Sequence, residues 1–391
     1  MENKLVKVPF VDLSWQNDPL LPEIDRAMTA VALRGDFILG QDVKEFEASF
    51  AQACGVKYGI GVGSGTDAIA LGLRACGIME GDEVLVPANT FIATVIGVIL
   101  AGAKPVLVDC DLETALIDLE SAQKAVTKKT RAILPVHLYG QMVSPQQLED
   151  FAHSNNLIIF EDCAQAHLAH REGKTAGSIG MAGAFSFYPS KNLGAFGNGG
   201  MVVTDNLEVA QKLHSLRNYG APKKYYHTEF GTNSRLNTIQ GAVLKVKLPH
   251  LEGWNLWRNR AGAKYDQYLQ SLQGFGVKPI KNISGEGHIY HLYVINIEPQ
   301  NRGDHGVALC DRTLDRNIIQ NKLEEMGIQT GIHYPIPCHL QPAYSYLGYT
   351  KGDFPHAEKL CDNILSLPMY PGIEDEQLQL VTEKLEQIFY A

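Results

Sequence analysis

The chain has 391 residues, 45% hydrophobic and 20% charged, a globular balance that excludes disorder and low complexity. That length exceeds one small core and predicts two domains, a large one over residues 1–250 and a small one over 251–391. The net charge of −9 gives no reason to bind nucleic acid or an anionic membrane, so an anionic substrate needs a local site.

Residues 8–13 read as a short extended entry, and 21–33 and 43–54 have helical periodicity. Residues 57–63 form an apolar strand that runs into a helix over 64–75, opened by Ser, Gly, Thr and Asp. Strands at 83–86, 105–108, 130–136 and 156–161 then alternate with helices at 89–102, 119–125 and 146–154, followed by strands at 183–187 and 200–204. This rhythm predicts an α/β fold: a three-layer α/β/α arrangement around a mostly parallel sheet. After residue 250 the pattern changes to a smaller α+β unit: a long helix at 251–272, a strand at 288–296 and a helix at 317–326. A Pro-rich irregular stretch (335–342), a helix ending at 361–365 and a last helix at 374–390 complete it, with one long irregular piece at 298–315.

Parallel sheets bind ligands outside the carboxyl ends of their strands, so the residues there are the ones to inspect. Residues 64–66 form a small-residue turn at a helix N-terminus, an anion cradle or simply a helix cap. The turn reads G-x-G-x-G, with Thr66 where a dinucleotide fingerprint would need glycine, which argues against a nicotinamide enzyme. Phe91, Asp162, Gln165 and Ser186 fall at other strand ends, where each also has a structural reading. Residues 185–200 (FSFYPSKNLGAFGNGG) carry a single charge, Lys191. A desolvated lysine has a lowered pKa and can attack a carbonyl, on a substrate or on pyridoxal phosphate; the plainer reading is a lysine in a Gly-rich surface loop.

The seven cysteines are scattered without C-x-x-C spacing, as expected for reduced thiols in a cytoplasmic protein, and no apolar run is long enough to span a membrane. His288 and His291 would point to opposite faces of a strand, so no metal site is expected, and most of the thirteen histidines read as structural.

Seven segments in order (GSGTDAI at 63–69, PANTFIAT at 87–94, VHLYGQ at 136–141, EDCAQAH at 161–167, the Lys191 segment, GTNSRLNTIQ at 231–240 and GIHYPIPCHLQP at 331–342) together resemble the DegT/DnrJ/StrS family of sugar aminotransferases. The resemblance covers nearly the whole chain and implies the aspartate-aminotransferase fold with pyridoxal 5'-phosphate as cofactor. It implies that Lys191 carries the cofactor as an aldimine and then moves the proton, while Asp162 pairs with the pyridine nitrogen. Gln165 would bond the phenolic oxygen, Phe91 would stack on the ring, and Gly65, Thr66 and Ser186 would hold the phosphate. Asn233 would reach the phosphate in the neighbouring subunit, making a homodimer with composite sites. The implied reaction moves an amino group from glutamate to a nucleotide-linked keto sugar, with His333, Tyr334 and His339 on the substrate side. Ser234 resembles members that act at C3, an aromatic there being commoner in those that act at C4. Asn237 departs from the acid usual in the family. The alternatives are C4 amination and a non-catalytic regulatory relative that keeps the cofactor.

Overall fold

The computed structural model describes residues 7–298 and 315–390. The irregular piece expected at 298–315 therefore lies outside the described residues except at its two ends. Seven strands build the large sheet: β1 (Tyr58–Val62), β2 (Glu83–Pro87), β3 (Lys104–Val108), β4 (Thr130–Ile133), β5 (Ile158–Asp162), and, after a small hairpin of β6 (His170–Arg171) and β7 (Lys174–Thr175), β8 (Ala182–Ser186) and β9 (Gly200–Thr204). Their spatial order is β1-β9-β8-β5-β4-β2-β3, and β9 alone runs against the other six. The predicted α/β fold with its mostly parallel sheet is what the chain adopts. Helices cover the sheet, so its strands are apolar along their length rather than alternating, as in the wholly buried β2.

Two glycines set the helices close enough to matter at the site. In the Gly65–Ala75 helix, a Cβ at Gly72 would lie 2.4 Å from the Phe160 ring of β5. In the Ile92–Leu100 helix, a Cβ at Gly97 would lie 2.5 Å from Ile69. The first contact sets the Gly65–Ala75 helix directly on β5, and the second sets the two helices against each other.

A second sheet joins β10 (Val277–Pro279), β11 (Tyr293–Ile297) and β12 (Ile364–Leu367), all antiparallel. The strand expected over 288–296 starts only at Tyr293. Residues 288–292 instead pack against the turn at 138–140, where the Ile289 and Leu292 N–H groups donate to the Gly140 and Tyr139 carbonyls. The helix expected to end at 361–365 stops at Asn363, and Ile364 begins β12, because β11 offers it a partner edge. The strand expected over 130–136 ends at Ile133, and the helix expected over 251–272 is α-helical to Tyr268 and then tightens to a 3-10 turn. The apolar cores do not part at residue 250: Val8 packs with the second core, and Phe354 and Leu360 pack with the first. Among the described residues six cysteines are free, five of them buried, and no helix is long and apolar enough to cross a membrane.

Candidate active site

Asp162 closes β5 and is 4% exposed. Its Oδ2 accepts from Thr94 Oγ1 at 2.8 Å and its Oδ1 from the Ala164 N–H at 3.0 Å. Burial raises its pKa, and those two bonds and the charge of Lys191 oppose the rise. Among the described residues it has no ion-pair partner in contact. A buried carboxylate held by hydrogen bonds but lacking a contacting cation is costly unless a ligand supplies one.

Lys191 lies in the turn after β8, its N–H donating to the Tyr188 carbonyl. Its side chain is half-buried at the surface yet enclosed by protein, and burial pulls its pKa down to about 8, with the Asp162 carboxylate holding it from falling further. About a tenth of a lysine with that pKa is the free amine at pH 7, far more than for an ordinary lysine, and this is the form that attacks a carbonyl.

The small-residue turn at 64–66 opens the Gly65–Ala75 helix. Ser64 caps the Gly65–Ala75 helix by accepting from the Asp67 N–H. The first-turn N–H groups of Gly65 and Thr66 have no intrahelical partner and stay available to an anion. Gly65 must be glycine: a Cβ there would sit 2.6 Å from that of Ser186. Ser186, at the end of β8, thus borders the helix N-terminus directly.

Gln165 is committed on two sides, accepting from the Tyr139 N–H (2.7 Å) and donating to the Tyr334 hydroxyl (3.1 Å). Only its second amide hydrogen is left for a ligand oxygen. Phe91 is 52% exposed, with its ring tilted against Tyr334 at 5.3 Å. His333 stacks on Phe10 at 5.6 Å, and its Nδ1 pairs with Ser366 Oγ at 2.9 Å. Burial first, and then the Lys191 charge, lowers the His333 pKa to about 4, so it is neutral at physiological pH.

The structure treats His339 and Asn233 differently from these. His339 is buried, its Nε2 paired with Glu358 Oε1 at 2.9 Å and its ring against Phe354, which makes it packing under the 335–349 loop. Asn233 is exposed, its amide oxygen accepting from Arg235. Its neighbour Ser234 is buried, accepting from the Gly63 N–H at 2.9 Å and donating to the Asp67 carboxylate at 2.9 Å. Asn237 occupies the N-cap of the Thr238–Lys247 helix without a side-chain capping bond.

Sequence reasoning assigned no part to Thr94, Tyr139 or Asn192. Tyr139 donates its hydroxyl to the His333 carbonyl (2.7 Å) from a left-handed backbone, φ +61. Asn192, next to the lysine, is buried and fully bonded to Asn255, Ile289 and His291. Thr94, Tyr139 and Asn192 all fall inside segments that carry the family resemblance, at 87–94, 136–141 and 185–200, but their partners lie far off in sequence and no local spacing singles them out. The buried group His137, Glu161 and Cys163 has ligand-like spacing. Its carboxylate is already engaged by His137 and by the N–H groups of Gly177, Ile179 and Gly180, so it fastens a turn.

A lysine with a lowered pKa, a buried carboxylate with no contacting cation among the described residues, and free N–H groups at a helix N-terminus together fit pyridoxal phosphate. Fold and site thus define the class of pyridoxal-phosphate-dependent transferases. Residues 20–386 match the model of the DegT/DnrJ/EryC1/StrS aminotransferase family, and the chain belongs to that family. It is 43% identical to a "Pleiotropic regulatory protein" of Geobacillus stearothermophilus, over 98% of this chain and 99% of that one. It is 40% identical to the dTDP-3-amino-3,4,6-trideoxy-alpha-D-glucose transaminase of Streptomyces venezuelae, over 97% and 96%. The crystal structure of S. venezuelae DesV in complex with a ketimine intermediate superposes with a TM-score of 0.91 at 39% identity, covering 98% of this chain and 99% of that one. The protein is a pyridoxal-phosphate-dependent sugar aminotransferase.

Proposed function

We propose that the protein transfers an amino group from glutamate to C3 of a nucleotide-linked deoxy-keto sugar, acting as a homodimer. The observation that carries the catalytic reading is the buried Asp162 carboxylate, without an ion-pair partner among the described residues, electrostatically coupled to the lowered amine of Lys191. Bound pyridoxal phosphate supplies an electron sink for the carbon that gains or loses the amine. Asp162 would keep the heterocyclic nitrogen protonated, with Thr94 and the Ala164 N–H fixing the carboxylate. Lys191 Nζ would hold the cofactor at rest and move the proton during transfer. Gly65, Thr66 and Ser186 would bind the phosphate, Gln165 the phenolic oxygen, and Phe91 one ring face. Neutral His333 and Tyr334 would border the substrate, and Asn233 would reach the partner's phosphate. We place the cofactor-binding unit on residues 1–250 and the smaller unit on 251–391, with Val8, Phe354 and Leu360 packing across that boundary.

C3 is supported by the S. venezuelae relative, named for a 3-amino product, and by Ser234, which is buried between Gly63 and Asp67 where an aromatic would break both bonds. The regulatory name of the Geobacillus relative favours a second reading, a cofactor-binding regulator. Absorbance of the purified protein separates the two. A visible cofactor band that glutamate bleaches, and that returns with a 3-keto sugar nucleotide, supports catalysis. A band indifferent to glutamate supports the regulator. Lys191→Ala should lose the band and the activity together; full activity in that variant would overturn the reading.

A further inference from the structure

The turn that carries Lys191 is gripped at alternate residues by later parts of the chain. Asn192 is held through Asn255 and the Ile289 carbonyl. The Phe196 N–H donates to the Gln240 side chain at 2.8 Å. Between these points, the Gly194 carbonyl accepts from Lys247 Nζ at 2.7 Å.

Lys247 is an unusual residue for that task. It closes the Thr238–Lys247 helix and is 3% exposed, although lysine is among the side chains least often buried. No carboxylate pairs with it among the described residues; it lies 5.7 Å from the centre of the Phe196 ring and 5.9 Å from that of Trp254. Burial alone lowers its pKa, to about 8. A methionine would fill the same space without the desolvation penalty, so packing gives no reason for an ammonium here. What the ammonium adds is a charge-assisted bond to one carbonyl, three residues beyond Lys191. The Gly194 backbone is itself tightly held: a Cβ there would lie 2.1 Å from the Pro189 carbonyl oxygen. A shift of Gly194 is therefore transmitted through the turn to Lys191 rather than absorbed locally.

We propose that Lys247 is a positioning residue, whose buried ammonium holds the Gly194 carbonyl and so fixes the turn that aims Lys191 at the cofactor. Because the helix it closes begins at Thr238, five residues beyond Asn233, the same element leads from the lysine turn back to the segment proposed to meet the partner subunit. The inference rests on the pyridoxal-phosphate reading above.

The test compares wild type, Lys247→Met and Lys247→Arg, as holoenzyme and after removal of the cofactor. Three results are expected for Lys247→Met. Its cofactor-free form melts no lower than wild type, its affinity for pyridoxal phosphate falls about tenfold, the scale of one charge-assisted bond, and its kcat falls with little change in KM for the sugar. Lys247→Arg, which keeps the charge and the donor, recovers part of the affinity. A methionine variant with wild-type affinity and kcat overturns the inference alone. One whose cofactor-free form melts well below wild type overturns it too, because Lys247 is then a packing residue. Wild type that takes up no pyridoxal phosphate overturns the functional reading first, and this one with it.

Discussion

At the scale of single residues, the site is a balance between burial and one charge. Burial lowers the Lys191 pKa to about 8, and the charge of the Asp162 carboxylate keeps it from falling further. Uptake of pyridoxal phosphate by cofactor-free protein should therefore accelerate with pH around a midpoint near about 8, not near the 10.5 of free lysine. Asp162→Asn removes the opposing charge and should move that midpoint lower. Stopped-flow absorbance across the pH range would measure both, and a midpoint that stays put or rises in the variant would sink the electrostatic account. The same shift acts on stability. Between about 8 and 10.5 the unfolded chain holds a proton that folded Lys191 has lost, so the cofactor-free protein gains stability from this group as pH rises through that window. Below about 8 both states are protonated and the cost of burying the charge is fully present.

At the scale of elements, Glu161 shows what motif reading passes over. It sits beside Asp162 in the same strand, wholly buried, and its two oxygens take the N–H groups of Gly177, Ile179 and Gly180 together with His137 Nε2. It ties the turn before β8, and thus the strand that ends at Ser186, to β5. Glu161→Gln puts an amide donor against one set of those donors. It should cost about 2–4 kcal/mol, the range for stranding buried polar groups, read as a lower denaturation midpoint. A change under about 0.5 kcal/mol would mean the turn is held by other contacts. In the sequence, the βαβ rhythm and the small-residue turn at residue 64 were legible because each follows from local periodicity or capping. What was not legible depends on contacts between distant segments. Residues 288–292 alternate like a strand but serve as a wall for the 137–140 turn, and Ile364 leaves a helix because β11 lies alongside. His339 shares the 331–342 segment with His333 and Tyr334, yet Glu358 fixes it in packing, which no spacing reveals.

At the scale of the whole molecule, the described surface leaves aromatic and aliphatic side chains in water around the segment that includes Asn233. Phe230 is 93% exposed and Tyr225 85%, with Tyr226 beside them; Leu33, Phe37 and Ile38 are exposed at the turn that bridges to Asn237. Exposed apolar patches of that kind mark interaction surfaces, and aromatic anchors dominate the energy of such interfaces. In the proposed homodimer a second copy of this chain would cover the patch and receive the outward-facing Asn233. Replacing Phe230 and Tyr225 together with serine removes two anchors without touching the buried core, so the fold should survive while the dimer weakens at least tenfold, about 1.4 kcal/mol or more. Sedimentation across a concentration series would read the dissociation constant, and absorbance would follow the cofactor in the same samples. If Asn233 reaches the partner's phosphate, the monomeric fraction should also lose pyridoxal phosphate more readily, and Asn233→Ala should weaken cofactor retention while leaving the dimer intact. A serine double variant that stays as dimeric as wild type would put the interface elsewhere. A monomer that keeps its cofactor as tightly as the dimer would show that each subunit's site is complete by itself.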